Sequence, residues 1–168
     1  MRDLATNTDQ VSLDIGSDVI EMAVSPDGRY AAYLRPQTET TYDLMVADLD
    51  SETQQILVSE QPLVPYSLHW NAASTRLAYR IHEPADSPQR RRLVVQSLPG
   101  GSEVGSFPLP GRMLGGIEFG SADQVIAVIY EDNQADLAWL TSDGQFGRAA
   151  GIPLEQSDYN PVKLVYVP

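Results

Sequence analysis

The side chains of this chain that could do chemistry are few. Two histidines stand at His69 and His82, three consecutive arginines at Arg90, Arg91 and Arg92, and cysteine is absent from all 168 residues. Without thiols there can be no disulfide or thiolate metal site, and the histidines lack H-E-x-x-H spacing, so no zinc centre is expected. Asp48, Asp50 and Glu52 alternate like the start of a calcium loop. Thr53, however, occupies the place of the sharp-turn glycine and Ser59 that of the bidentate glutamate, so the stretch reads as a polar hairpin. Asp132, Asp136 and Asp143 are too dispersed to form a set. A hydrolase elbow needs G-x-S-x-G. Gly100-Gly101-Ser102-Glu103-Val104-Gly105 is one residue too long and reads as a plain turn. Ten of the eleven basic residues are arginine and Lys163 is the one side-chain amine, which leaves little for lysine-based covalent chemistry. No catalytic residue, metal or cofactor is expected.

What remains is recognition. Three guanidiniums could grip a carboxylate or phosphate on a partner, although a charge run in a loop also serves as a solvated surface. His69 lies between Leu68 and Trp70, so strand alternation sets it on the opposite face from both. It reads as a packing or hydrogen-bonding residue, with ligand contact as the alternative. His82-Glu83 precedes Pro84 and reads as an exposed pair at a strand end. His69, His82, Arg90, Arg91 and Arg92 are therefore the candidate ligand- or partner-contacting residues. The formal charge of −12, from 23 acidic against 11 basic residues, repels phosphate backbones and anionic lipid, so a protein partner is expected and no nucleic acid. The longest wholly apolar run is about six residues, Val125 to Tyr130, far short of a membrane span.

The elements that must position these residues read as short strands. Runs rich in Val, Ile, Leu, Tyr and Ala alternate with Gly, Pro, Asp and Ser clusters, and no window carries a period of 3.6. The same programme recurs three times. Met22 to Tyr33, Leu68 to Tyr79 and Ile117 to Val128 align, with Ala32 and Ala78 separated by 46 positions and Ala78 and Ala127 by 49. A period in that range with strand–turn–strand content marks propeller blades. The expected fold is all-β, a partial propeller over residues 10–168 with four-stranded antiparallel blades at about 20–60, 64–110 and 114–154. Single strands of incomplete blades are expected at 10–15 and 162–168, and residues 1–9 read as a disordered or tag-like lead without a secretory-type apolar segment. Asp27-Gly28 and Asp143-Gly144 are expected to make tight turns. Trp70, Phe119, Tyr33 and Tyr79 recur at matching strand positions and are expected between blades. The B–C connections, Pro36–Thr41, Glu83–Arg92 and Glu131–Gln134, should cluster on one rim.

Ser25-Pro26-Asp27-Gly28-Arg29 followed by Tyr30-Ala31-Ala32-Tyr33 closely resembles the S-P-D-G-(K/R)-x-(L/I)-A-(F/Y) signature of TolB-type, WD-like β-propeller repeats. Asp43-Leu44-Met45-Val46-Ala47-Asp48-Leu49-Asp50 resembles the usual continuation. The second and third units depart from it, with Asn71-Ala72-Ala73-Ser74 and Gly120-Ser121-Ala122-Asp123 in place of S-P-D-G. The resemblance implies a rigid, non-catalytic surface, in one of three settings. It could be a cell-envelope docking protein, a periplasmic sensor domain of a membrane-bound winged-helix (CadC-type) regulator, or the gating propeller of a prolyl-oligopeptidase-type serine peptidase. It implies a periplasmic or extracytoplasmic location, while the residues themselves leave the compartment open. An arc of three blades also leaves two apolar faces in water, so self-association through the open blade faces is expected.

Overall fold

The computed structural model describes residues 14–84, 91–109, 112–120, 123–131, 134–141 and 145–153. They form an all-β structure of three four-stranded antiparallel sheets. The first blade holds β1 (Glu21–Val24), β2 (Tyr30–Pro36), β3 (Tyr42–Asp48) and β4 (Thr53–Gln61). The second holds β5 (His69–Trp70), β6 (Arg76–His82), β7 (Arg91–Ser97) and β8 (Glu103–Leu109), and the third β9 (Arg112–Phe119), β10 (Val125–Glu131), β11 (Gln134–Leu140) and β12 (Phe146–Pro153). Each sheet runs in sequence order, as short antiparallel connections dictate. The first strands of successive blades, β1, β5 and β9, touch in series and so lie along the inner side of the arc. The expected lead strand at 10–15 is not a strand at Asp14 and Ile15. Its remainder, the strand at 162–168 and the Asp143-Gly144 turn lie outside the described residues.

The core sits between blades because each central strand is apolar on both faces. Leu34, Leu44 and Val46 of the first blade pack on Leu77, Tyr79, Ile81 and Val94 of the second. Ala78, Leu93, Val95 and Leu109 of the second pack on Ile117, Val125, Ile129 and Leu140 of the third. Burying each leucine, isoleucine or valine of these sets contributes about 1.5–3 kcal/mol, so the two junctions dominate the stability of the arc. Trp70 crosses the first junction. Its ring stacks on Tyr30 with centroids 6.1 Å apart, and its Nε1 donates to the carbonyl of Ala23 at 2.9 Å. Tyr79 is buried in the same junction, and Phe119 packs against the second. Tyr33, the counterpart of Tyr79, is buried on the outer face of the first blade beside Met45 and Ala47, under Ile15 and Val19.

The A–B turns use different residues for one job. Ser25 Oγ accepts from the backbone N–H of Tyr30 at 2.8 Å, five residues on, and donates to Asp27 Oδ1 at 2.6 Å. That hydrogen bond, with the one from Arg29 N–H, holds the Asp27 carboxyl below the usual carboxylate range. In the second blade Asn71 Oδ1 accepts from Thr75 N–H and Arg76 N–H, both at 2.8 Å. Gly28, Ser74 and Asp123 hold the same left-handed position, with φ of 76°, 59° and 58°. The third turn is one residue shorter: Ser25 N–H reaches Tyr30 O and Asn71 N–H reaches Arg76 O, whereas Gly120 N–H reaches Gln124 O. This corrects the sequence alignment. Ala32 pairs with Val46, Ala78 with Val95, and the matching partner of Trp139 is Ile126, not Ala127.

Candidate functional site

Strand alternation sorts the basic residues of the second blade. His69 pairs with Ala78, Arg80 with Leu93 and His82 with Arg91, which places His69, Arg80, His82 and Arg91 on the face that looks toward the third blade. They lie at the end of the sheet where β6 runs into the B–C loop. Arg92 pairs with Ile81 and takes the opposite face, where its Nε donates to Glu83 Oε1 at 2.8 Å and its guanidinium reaches Ser106 Oγ at 3.4 Å. Arg90 lies outside the described residues. The structure therefore divides the arginine run: Arg91 joins the two histidines, and Arg92 is tied into an ion pair with Glu83. Arg80 is the member that sequence reading missed. Its place two positions before His82 on the same strand was the available signal.

The group is held by the connection from the first blade. Glu21 accepts from the backbone N–H of Tyr66 at 2.6 Å and of Leu68 at 2.9 Å, fixing the chain where it enters β5. Arg80 donates through NH2 to the Tyr66 carbonyl at 3.3 Å, and its backbone N–H is received by Ser67 Oγ at 3.1 Å. The charges oppose one another. Burial, then Arg80, holds the His69 imidazole below the usual histidine range. Burial, then Arg91 and Arg80, does the same to the exposed-edge His82. Burial and Arg91 also lower Arg80, against which the Glu21 carboxylate acts. The two arginines give this group its positive charge, which favours an incoming anion. The two histidines are neutral at neutral pH and can donate or accept one hydrogen bond each.

Other polar groups are satisfied internally. Asp43 is buried yet receives Arg35 at 3.1 Å, Gln37 at 2.7 Å, Ser59 at 3.1 Å and Glu60 N–H at 3.0 Å. Burial pushes its carboxyl up, but the hydrogen bonds from Glu60, Arg35 and Ser59 prevail and hold it low. Asp136, at the same place in the third blade, is bound by Arg148. Asp48 is engaged by Arg29 at 2.9 Å and by the N–H groups of Asp50 and Ser51, which is the bonding of a hairpin turn. Ser102 lies in the β7–β8 hairpin, its carbonyl accepting from Ser97 N–H at 2.8 Å. Among the described residues no three His, Asp or Glu side chains converge as a metal site, and no helix is long and apolar enough to cross a membrane.

Three stacked blades with their first strands touching in series define a segment of β-propeller. No family model matches the chain, and no curated protein matches its sequence. Solved structures do match in fold. The propeller domain of the Trilobed protease from Pyrococcus furiosus superposes with a TM-score of 0.66 at 16% identity, over 80% of this chain and 44% of that one. Acylaminoacyl peptidase from Pyrococcus horikoshii gives 0.63 at 19%, over 81% of this chain and 25% of that one. TolB from Acinetobacter baumannii gives 0.55 at 20%, over 82% and 33%. At these identities the likeness establishes the propeller fold alone, and the chain spans between a quarter and a half of each of these proteins.

Proposed function

We propose that this chain is a non-catalytic, TolB-like propeller segment that binds a protein partner outside the cytoplasm. The grouping of His69, Arg80, His82 and Arg91 at the B–C rim of a chain with a formal charge of −12 carries this reading. It offers a local positive field on an otherwise acidic surface, and it favours an acidic partner segment. The Ser25-Pro26-Asp27-Gly28 signature supports the TolB-like assignment and, with it, the extracytoplasmic location. The test is capture of envelope-fraction proteins. Retention should fall when His82→Glu and Arg91→Glu are combined, weaken with added salt, and survive Arg76→Glu at the opposite rim. Equal retention by all variants overturns the rim assignment. Hydrolytic turnover by this chain, lost on replacing one serine, overturns the non-catalytic reading.

The match to two peptidase propellers favours a second reading, a gating segment of a serine peptidase. The coding sequence flanking this segment separates the two. A peptidase continues into a nucleophile-elbow domain, whereas a sensor of the regulator type is preceded by a winged helix and one membrane span.

A further inference from the structure

The connection from the first blade to the second is irregular where it meets β6. Leu63 bridges Ile81 and His69 pairs with Ala78, so six steps along the incoming chain stand against three along β6. The corresponding stretch of the first blade has no such excess. Ile20 N–H bonds Leu34 O, and the ladder runs on evenly from Glu21 opposite Leu34 to Val24 opposite Ala31. The surplus residues of the second blade form a bulge, and a bulge re-aims the side chain at its crest. Here that side chain is Tyr66.

Tyr66 is 77% exposed, the most exposed large apolar side chain among the described residues. Its φ is 60°, in the left-handed region that a bulky residue seldom occupies. Such a conformation persists only where the surroundings over-determine it. Here both of its backbone groups are held. The N–H donates to Glu21 Oε2 at 2.6 Å, and the carbonyl accepts from Arg80 Nη2 at 3.3 Å. The residues on either side are fixed as well. Pro65 has its φ set by its ring, and Ser67 is buried with its hydroxyl bonded to Val64 O and to Arg80 N–H. The ring is thus carried into water on a stiff mount that Arg80 helps to build. A ring so exposed contributes little to the core, so the strained mount serves no packing need.

We infer that Tyr66 is the apolar anchor of the rim: a partner segment lays a proline or aromatic side chain on its ring while a neighbouring carboxylate meets the arginines. This rests on the reading of His69, Arg80, His82 and Arg91 as a docking site for an acidic segment, and it adds the second side chain that the segment must carry. Tyrosine and arginine are among the residues that most often carry binding energy at protein interfaces, and a tyrosine gives up little rotamer freedom on binding. Charge chooses the occupant. A base with its phosphate could also stack on a tyrosine beside an arginine, but a nucleic-acid strand brings a continuous run of negative charge to a chain of formal charge −12. An acidic peptide needs to bring only a local pair of carboxylates.

Short immobilised peptides test this, built from glycine and serine with two adjacent glutamates and one nearby position varied. The full chain should hold peptides with proline or tryptophan at that position about tenfold more tightly than those with serine. Tyr66→Gly should abolish the preference and Tyr66→Phe should keep it. Neither should lower the urea midpoint, since glycine accepts the φ without strain and phenylalanine leaves the mount as it is. Loss of stability in Tyr66→Gly alongside loss of the preference would make Tyr66 a structural residue and overturn the proposal. The rim itself is tested separately, because His82→Glu with Arg91→Glu should release every glutamate peptide. If the double variant still holds them, the rim reading fails. If it releases them while the unaltered chain binds serine and tryptophan peptides alike, the anchor alone fails. Retention of no peptide overturns both, and tighter retention of a single-stranded oligonucleotide than of any peptide overturns the choice of occupant.

Discussion

At the scale of single residues, Trp70 ties the first junction together across the two blades. It supplies the stack on Tyr30 and a hydrogen bond to Ala23 O. Trp70→Ala should therefore lower stability by about 3–5 kcal/mol. Trp70→Phe, which keeps the ring and loses the donor, should cost about 1 kcal/mol. Urea midpoints measure both, and equal losses would show that the stack contributes nothing. His69 gives a pH dependence. Its imidazole is held low by burial and by Arg80, so the folded chain keeps it neutral where the unfolded chain takes up a proton. The unfolded state binds more protons just below the ordinary histidine range, near pH 6.5, so stability is full above that pH and falls as pH drops through it. Urea midpoints at neutral pH and about one unit below 6.5 should differ, and His69→Gln should shrink the difference, leaving the share of His82. A profile unchanged by His69→Gln would refute the assignment.

At the scale of elements, the A–B turns show how one backbone geometry is reached by unlike sequences. Asn71 is fully buried, accepts two backbone N–H groups, and donates to Asp123 Oδ1 of the next blade at 2.9 Å. Asp27 N–H likewise reaches Ser74 Oγ of the next blade at 3.1 Å. The turns are thus linked from blade to blade as well as closed within themselves. Asn71→Ala leaves several polar groups without partners and should cost about 2–3 kcal/mol, more than Ser25→Ala at the corresponding position. Chemical denaturation of the pair decides it, and a milder effect at Asn71 would mean that the cross-blade bond is idle. The four-strand pattern of each blade was legible because apolar runs and turn residues alternate locally. The one-residue shortening of the third turn was not, because Gly120-Ser121-Ala122-Asp123 carries no marker of which residue closes the hydrogen bond.

At the scale of the whole molecule, the two junctions hold the described blades together, so they should unfold as one cooperative unit. Leu93→Ala, at the second junction, should lower stability by about 2–5 kcal/mol. Urea midpoints followed by tryptophan fluorescence and by far-ultraviolet dichroism should shift together, and two separate transitions would mean that the junctions melt independently. The formal charge of −12 sets the ionic conditions, since self-repulsion is strongest at low salt.

The amino-acid sequence by itself determined the all-β class, the three repeats and the inter-blade positions of Trp70, Phe119 and Tyr79, whereas Tyr33, expected between blades, lies on the outer face of the first. Each of these follows from local periodicity, which needs no knowledge of distant contacts. Only the tertiary structure decided that Arg91 joins His69, Arg80 and His82 while Arg92 turns away to Glu83. The same is true of the bulge that carries Tyr66 into water. The reason is register. A shift of one residue in a strand reverses every side chain it carries, and pairing between strands, not composition, fixes that shift.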